Sequence, residues 1–331
     1  MFLKAKTLDD LLRQVFRKLL VSPAIDPSRG RAREIAGAML RLENPRARLS
    51  RSESKGKVFS ALGELLWYLS GSNGLKFIEY YVPRYREESD DGETVYGGYG
   101  PRFFDMKGHD QLRNVVDTLT KNPSSRRAVI QLFDAADISK RRKEIPCTCI
   151  LQFMVRVNKL HMFAYMRSND AYFGLPHDVF AFTMLQEIVA RELGIEVGVY
   201  NHFVSSLHLY ESNWLQAKQY LSEGWHSTSQ MPPMPIGRPW RCIGATLRFE
   251  KAIRAGQSVG EGRLKVLAPY WRDLILLLKI YRASIDRRPE EVTILQSEMS
   301  TRTYLPYIQD RKKIARRPLK GQRLDRPKRA K

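Results

Sequence analysis

Cysteine is scarce in this chain: three residues (Cys147, Cys149 and Cys242) among 331 are too few and too oddly numbered for a disulfide framework. Long apolar runs are missing too. None approaches the roughly 20 residues that a membrane-spanning helix requires, so no membrane partner is expected. The first residues, MFLKAKTLDDLLRQ, put acidic side chains where a secretory signal would carry its apolar stretch. These absences point to a soluble, cytoplasmic protein. No histidine stands at ligand spacing from Cys147 and Cys149, so no metal is expected. Acidic residues are also in short supply, 35 against 56 Lys and Arg, for a formal net charge of +21. Residues 311–331 hold 11 basic side chains and one Asp, and so carry +10 of that excess. This block is punctuated by proline and has no apolar period. It reads either as a solvated, mobile tail or as an arm for a polyanion such as nucleic acid. The remaining +11 on residues 1–310 favours anionic ligands.

Hydrophobic residues make up 43% of the chain and charged ones 27%, an ordinary globular composition. Residues 7–20 carry Leu8, Leu11, Leu12, Val15, Phe16, Leu19 and Leu20 at helical spacing behind Thr7, a helix-opening residue. Residues 57–70 are apolar nearly all round and predict a buried helix, inside which the carboxylate of Glu64 is out of place. A Gly- and Asp-rich loop is expected over 89–100 and a helix over 109–121. Strands are expected at 127–133, 148–156, 160–166 and 195–204, and further helices at 178–193 and 264–284. Strands and long helices interleave without a regular β-α-β rhythm, which favours an α+β fold.

Four clusters carry chemistry, and each has a plain alternative. Cys147 follows Pro146, which holds the approach extended; it is a nucleophile or a small core residue. Arg167-Ser-Asn-Asp170 closes a strand and can bind a phosphate or merely turn the chain. His208 and Tyr210, two apart, can grip a sugar hydroxyl or pack as a satisfied pair. Arg126 and Arg127 can clamp a phosphate or line a surface.

In order and spacing, these pieces resemble the thymidylate synthase superfamily. The matching segments are Glu64-Leu-Leu-Trp67, Val95-Tyr-Gly97, Ser125-Arg-Arg127, Pro146-Cys147 with Gln152-Phe153, Arg167-Ser-Asn-Asp170, Gly174-Leu-Pro176 and His208-Leu-Tyr210. The likeness is close over about residues 60–215 and weak outside. It implies a mixed sheet packed with long helices, a catalytic domain over 1–310, and a homodimer formed through the sheet. It also implies a pyrimidine nucleoside monophosphate as substrate and 5,10-methylenetetrahydrofolate as cosubstrate. Cys147 would add to C6 of the base as a thiolate, its pKa lowered by neighbouring arginines. Arg167 and Ser168 would hold the phosphate, joined by Arg29 from a mobile loop and by Arg126 and Arg127 of the other subunit. His208 and Tyr210 would bind the sugar. Glu64 would organise water and proton transfers, and Tyr96 would assist removal of the C5 proton. Asp170 and Gly174 would line the folate side, where Tyr81 stands nearest to the family's stacking Trp.

The departures are specific. Where thymidylate synthases place the Asn that reads uracil, this chain has Asp178. An ionised carboxylate only accepts hydrogen bonds. Opposite uracil O4 it leaves a mismatch of roughly 1–3 kcal/mol; opposite cytosine it accepts from N4 and favours a proton on N3. Members with Asp here resemble cytidylate hydroxymethylases, in which water instead of hydride traps the exocyclic methylene. The plain alternative for Asp178 is an acid at a helix N-terminus. The acid that precedes the family's His-x-Tyr is Ser206 here, and no counterpart of the synthase C-terminus that closes over folate is evident in the basic tail. The expected activity is therefore C5 hydroxymethylation of CMP or dCMP. A divergent thymidylate synthase acting on dUMP is the alternative, and a nucleic-acid-binding protein using the tail is a reading from another class.

Overall fold

A computed structural model describes residues 1–27, 29–50, 58–224, 230–258 and 260–316. The N-terminal part runs β1 (Phe2–Ala5), α1 (Leu8–Leu19), β2 (Ala24–Ile25), β3 (Ala32–Leu42), α2 (Val58–Leu69), α3 (Leu75–Tyr81), α4 (Tyr85–Glu88), α5 (Tyr99–Phe104) and α6 (Gln111–Lys121). The middle holds β4 (Val129–Gln131), β5 (Thr148–Arg156), β6 (Lys159–Asp170), α7 (Gly174–Glu192), β7 (Glu196–Tyr210) and α8 (Trp214–Ser222). Helices complete the described chain: α9 (Pro239–Arg254), α10 (Glu261–Lys265), α11 (Pro269–Ile285), α12 (Pro289–Ser297) and α13 (Leu305–Ala315).

The strands make one mixed sheet in the order β1-β3-β7-β6-β5-β4, with β2 paired to β3. Neighbours β6 and β7 run parallel, joined by α7 as the crossover, whereas β3–β7, β5–β6 and β4–β5 are antiparallel. This is the α+β arrangement that the sequence pattern predicts. Helix α7 is buried almost all round, and α2 packs against it. Helix α11 in turn touches α2, α9 and α13. The opposite sheet face carries half-buried Ile150, Met154, Phe163, Tyr165 and Phe203, the last two stacked with ring centroids 4.8 Å apart.

Local chemistry accounts for the element ends. Thr7 caps α1, accepting from the Asp10 amide and donating to its carboxylate. The β5–β6 hairpin pairs Arg156 with Lys159 and turns on Val157 and Asn158, both at positive φ (50° and 54°). A two-residue turn must adopt that conformation to match the twist of the strands. Val157 is β-branched and ill suited to it.

Two features differ from expectation. Strands β6 and β7 extend further than the apolar runs do, so Arg167–Asp170 and His208–Tyr210 lie on strand ends. The tail was also expected to begin at residue 311, but residues 311–315 continue α13, and Arg311 is half-buried over the rings of Phe59 and Tyr281. Stacking on aromatic faces lets a guanidinium sit inside without a carboxylate. The remainder of the expected tail, 317–331, lies outside the described residues, as does Ser28. Among the described residues, no helix is long and apolar enough to cross a membrane.

Candidate active site

The ends of β6 and β7, the start of β5, helices α2, α7 and α13 and the loop around Arg29 enclose a cavity of about 1220 Å³. Cys147 lies on its wall where the chain enters β5. Arg167 wraps the approach to it, donating from Nε to the Pro146 carbonyl at 2.9 Å and from Nη2 to that of Ile145 at 3.0 Å. Nη2 also comes within 3.7 Å of the Cys147 Sγ. Burial pushes the Cys147 thiol up to about 12; the negative charge of Glu144 adds to this and Arg167 opposes it. Arg167 and Arg29 do pull the thiol down, as expected, but burial and the charge of Glu144 outweigh them.

Arg29 reaches the same cavity and is already engaged. It grips Glu88 through two hydrogen bonds (3.1 and 2.9 Å), reaches Glu144 at 3.2 Å and donates to the Lys143 carbonyl at 2.7 Å. Burial, reinforced by the charge of Glu88, raises the Glu144 carboxyl to about 7 against the pull of Arg29 and Arg167. Ser168, Asp170, Gly174, His208 and Tyr210 all line the cavity. The rings of His208 and Tyr210 meet edge to face at 4.8 Å. Asp170 accepts from the amides of Tyr172 and Phe173, which fixes the turn before α7. The Ser206 hydroxyl donates to Glu34, so the acid missing from β7 is present on the neighbouring strand β3, also on the cavity wall.

Glu64 is buried, and its Oε1 accepts from two phenols, Tyr68 at 2.9 Å and Tyr85. Tyr81 packs its ring against Gly63, where a Cβ would come within 2.1 Å of the ring, and donates its hydroxyl to Glu250 at 2.9 Å. It lines the cavity while largely buried, and Tyr85 reaches Glu64. Tyr96 is not among the lining residues; its ring lies under the Arg142 guanidinium at 4.2 Å. Tyr99 takes the inward place, hydrogen-bonded to the Thr148 hydroxyl at 2.8 Å and accepting from its amide at 3.1 Å. Arg126 and Arg127 are exposed and away from the cavity of their own chain.

Asp178 stands near the start of α7 and keeps part of its surface open to the cavity, though protein surrounds it. Its Oδ2 accepts from Asn169 Nδ2 at 2.7 Å. Burial holds its carboxyl well above the usual range, and the charge of Glu64 adds to this while Asn169 opposes it. Next to it, His177 donates from Nδ1 to the Phe173 carbonyl at 2.8 Å and meets the Ser60 hydroxyl through Nε2 at 2.9 Å.

Sequence reasoning passed over Tyr85, Tyr99, Glu144 and the C-terminal helix, and it gave Asn169 no part in holding Asp178. Tyr307, Asp310, Arg311, Lys313 and Ile314 of α13 border the cavity, so the C-terminal part of the described chain does wall the site. The missed signal is Tyr307 and Ile308 followed by Arg311, a spacing that continues an apolar face into the basic block. Among the described residues, no group of three or more His, Cys, Asp or Glu is placed to hold a metal.

Comparison with known proteins gives this constellation its relatives. The chain is 32% identical over 185 residues to the deoxyuridylate hydroxymethyltransferase of Delftia phage PhiW-14, covering 52% of this chain and 51% of that protein. It is 35% identical over 163 residues to the deoxyuridylate hydroxymethyltransferase of Pseudomonas phage M6, covering 48% and 46%. It is 29% identical over 193 residues to the thymidylate synthase of Mycoplasma mobile, covering 49% and 67%. The matches thus span about half the length of the two phage relatives. The thymidylate synthase family model matches residues 33–240, which contain Cys147, Arg167, Asp178 and both strand ends of the cavity. With most of its length under that match, the chain belongs to the thymidylate synthase family.

Proposed function

We propose that this protein hydroxymethylates C5 of a cytidine monophosphate, CMP or dCMP, with 5,10-methylenetetrahydrofolate as one-carbon donor. The observation that carries the reading is Asp178, a carboxyl group with protein all round it on the cavity wall and held by Asn169. As a neutral acid it donates from one oxygen to N3 of cytosine and accepts at the other from the N4 amino group. When Cys147 attacks C6, electron density builds at N3, and the proton of Asp178 moves there. The same pair then reads as a carboxylate against a protonated ring, so recognition and activation share one proton.

A cavity of about 1220 Å³ supports a second ligand beside the nucleotide, and its lining includes Trp67, Tyr81, Phe173 and Asp170, groups suited to a flat heterocycle bearing N–H donors. The folate, when bound, supplies the one-carbon unit at the oxidation level of formaldehyde. The chain does the rest. The Cys147 sulfur forms a bond to C6, which makes C5 nucleophilic; C5 bonds to the one-carbon unit and gives up its proton as tetrahydrofolate leaves, which makes an exocyclic methylene. Arg167, Ser168 and Arg29 stand on the cavity wall for the phosphate, and His208 and Tyr210 for the sugar. Glu64, Tyr85, Ser60 and His177 offer polar atoms that can hold a water against the exocyclic methylene. That water adds its oxygen to the methylene and gives up a proton; the C6–S bond then breaks, and Cys147 and 5-hydroxymethylcytidylate are released. The half-buried apolar face of the sheet supports a homodimer through it, with Arg126 and Arg127 passed to the partner's phosphate site.

A second reading, dUMP as substrate, is favoured by the two phage relatives, named as deoxyuridylate hydroxymethyltransferases. A neutral Asp178 supports it as well, because a carboxylic acid can donate to uracil O4 and accept from N3–H as an amide does. The test is tritium release from 5-tritiated CMP, dCMP and dUMP with methylenetetrahydrofolate, followed by product mass. Release from a cytidine nucleotide with a hydroxymethylated product supports the first reading and fixes the sugar. Release from dUMP alone overturns it, and the product then separates hydroxymethylation from methylation.

A further inference from the structure

Behind Asp178, three buried polar side chains form a line that the mechanism above does not use. Asn169 Nδ2 donates to Asp178 Oδ2 at 2.7 Å, Asn169 Oδ1 meets His202 Nε2 at 3.0 Å, and His202 Nδ1 meets the Tyr200 hydroxyl at 2.7 Å. Tyr200 and His202 are fully buried in β7, and Asn169 is nearly so at the end of β6. The direction of the line follows from its far end. The described structure gives the Tyr200 hydroxyl no acceptor except His202 Nδ1, and a buried hydroxyl without an acceptor is costly. Tyr200 therefore donates to Nδ1, and the neutral imidazole carries its proton on Nε2. Burial, which lowers the His202 pKa to about 3, agrees with a neutral ring. The Nε2–H requires an oxygen, so the Asn169 amide presents Oδ1 to the histidine and Nδ2 to Asp178. Gly174 makes room for this, since a Cβ there would lie 2.8 Å from Asn169 Nδ2.

We propose that Tyr200, His202 and Asn169 are positioning residues that set base choice by fixing which oxygen of Asp178 accepts and which one carries the proton. The inference rests on the reading of Asp178 as the base-recognition residue. With Oδ2 committed as acceptor to Asn169, a proton on the carboxyl group sits on Oδ1. Cytosine needs the donor opposite N3 and the acceptor opposite N4, and uracil needs the donor opposite O4 and the acceptor opposite N3–H. The two demands differ only by a half-turn of the carboxyl group about Cβ–Cγ. Asn169 holds that rotation, His202 keeps the amide from flipping, and Tyr200 fixes the histidine tautomer. Cut anywhere, the line frees the carboxyl group to serve either base.

The experiment measures kcat/KM for tritium release from 5-tritiated cytidine and uridine monophosphates, taking their ratio in the full-length wild type and in His202→Phe, His202→Gln, Tyr200→Phe and Asn169→Ala. Base discrimination by a two-point hydrogen-bonded pair is on the order of 10- to 100-fold. The ratio is expected to fall toward one, by about tenfold, in His202→Phe and Asn169→Ala, and to fall part of the way in Tyr200→Phe. In His202→Gln, whose side-chain amide can still donate to Asn169, it is expected to be retained. A purely structural role would lower both rates together and leave the ratio alone. Tyr200→Phe removes one hydroxyl, so it decides the matter if a larger substitution does not fold. Asp178→Asn separates the two failures. If it does not move base choice, the reading of Asp178 falls and the inference with it. If it does, while Tyr200→Phe, His202→Phe and Asn169→Ala keep the wild-type ratio, the inference alone is wrong.

Discussion

Replacing Glu144 by Gln tests how the cavity controls its nucleophile. Glu144 lies three residues before Cys147 on the same wall, and its charge is second to burial among the causes that raise the thiol to about 12. Two unit charges about 8 Å apart at an effective dielectric of about 20 interact by roughly 2 kcal/mol, or about 1.5 pKa units. Removing the charge should therefore raise the thiolate fraction about 30-fold at a pH where Glu144 is ionised. A less basic thiolate is also a weaker nucleophile, which takes back about half of that gain on a logarithmic scale. Alkylation of Cys147 by iodoacetamide, resolved from Cys149 and Cys242 by peptide mass, is expected to be about sixfold faster in the variant at pH 8.5. The pH dependence supplies the sign. Glu144 titrates near 7; below that it is neutral in the wild type, and the two proteins should react alike at pH 6. Above it the curves should separate, with the wild type rising less steeply. Arg29 keeps both of its bonds to Glu88 in the variant. Parallel curves from pH 6 to 8.5, or a slower variant, would refute this account of Cys147.

Gly63→Ala should be among the most damaging single-methyl changes, because its Cβ would sit 2.1 Å from the ring of Tyr81, itself held by Glu250; a loss of about 3 kcal/mol or more by urea unfolding is expected. Val157→Gly should do the opposite, since Val157 is 95% exposed at φ 50° and contributes little besides strain; a gain of about 1 kcal/mol in the same assay is expected. Asp178→Asn should raise the melting temperature at pH 7 while changing it little near pH 4. The folded-state pKa of Asp178 is raised, so its contribution is fully present below the unfolded value and is lost as pH climbs toward the folded one, whereas Asn has no such slope. Arg48→Ala should lower stability by about 3–5 kcal/mol, because it strips one of two arginines from fully buried Glu187.

Legibility in the sequence followed apolar patterning. Helices α1 and α2 and strand β5 lie within a residue or two of their expected bounds because their buried faces are written in Leu, Val and Phe. Strand β3 escaped notice: Ala32–Leu42 alternates small, charged and apolar residues, and only part of it is buried. Residues 311–315 of α13 were read as tail because a pattern of hydrophobic residues does not count Arg311, whose contact is with aromatic faces. The site was readable where one residue type defines the chemistry, as at Cys147, Arg167, His208 and Asp178. It was opaque where a role depends on a partner from another element. Glu34 beside Ser206, Tyr85 on Glu64 and the Tyr200–His202–Asn169 line are all of that kind. A polar pair, Asn201-His202, inside an otherwise apolar strand was the one hint available.

Several buried acids of this protein are tied to arginines; Asp273, away from the cavity, is held instead by the amide and hydroxyl of Ser300, so the pairing pattern is a tendency to be read together with position. Away from the cavity, Glu187 meets Arg46 and Arg48, Asp137 meets Arg102, and Glu250 meets Arg254. For Glu187, the two arginines overcome the burial that would push its carboxyl up and hold it below the usual range. Glu187 is thus arranged to stay ionised, and all three pairs hold loops and helices together. On the cavity wall the partners change. Among the described residues, Glu64 is held by two phenols and Asp178 by one amide, and neither forms an ion pair. A carboxyl group buried against neutral donors costs stability when ionised, and that burial holds the carboxyl of Asp178, which faces the cavity, well above the usual range. Groups kept near the point of gaining or losing a proton are useful for proton transfer and poor as structural ties. The same reasoning sets Glu144 between the two classes, engaged by Arg29 yet raised to about 7, which makes it the acid whose charge is most open to control by what enters the cavity.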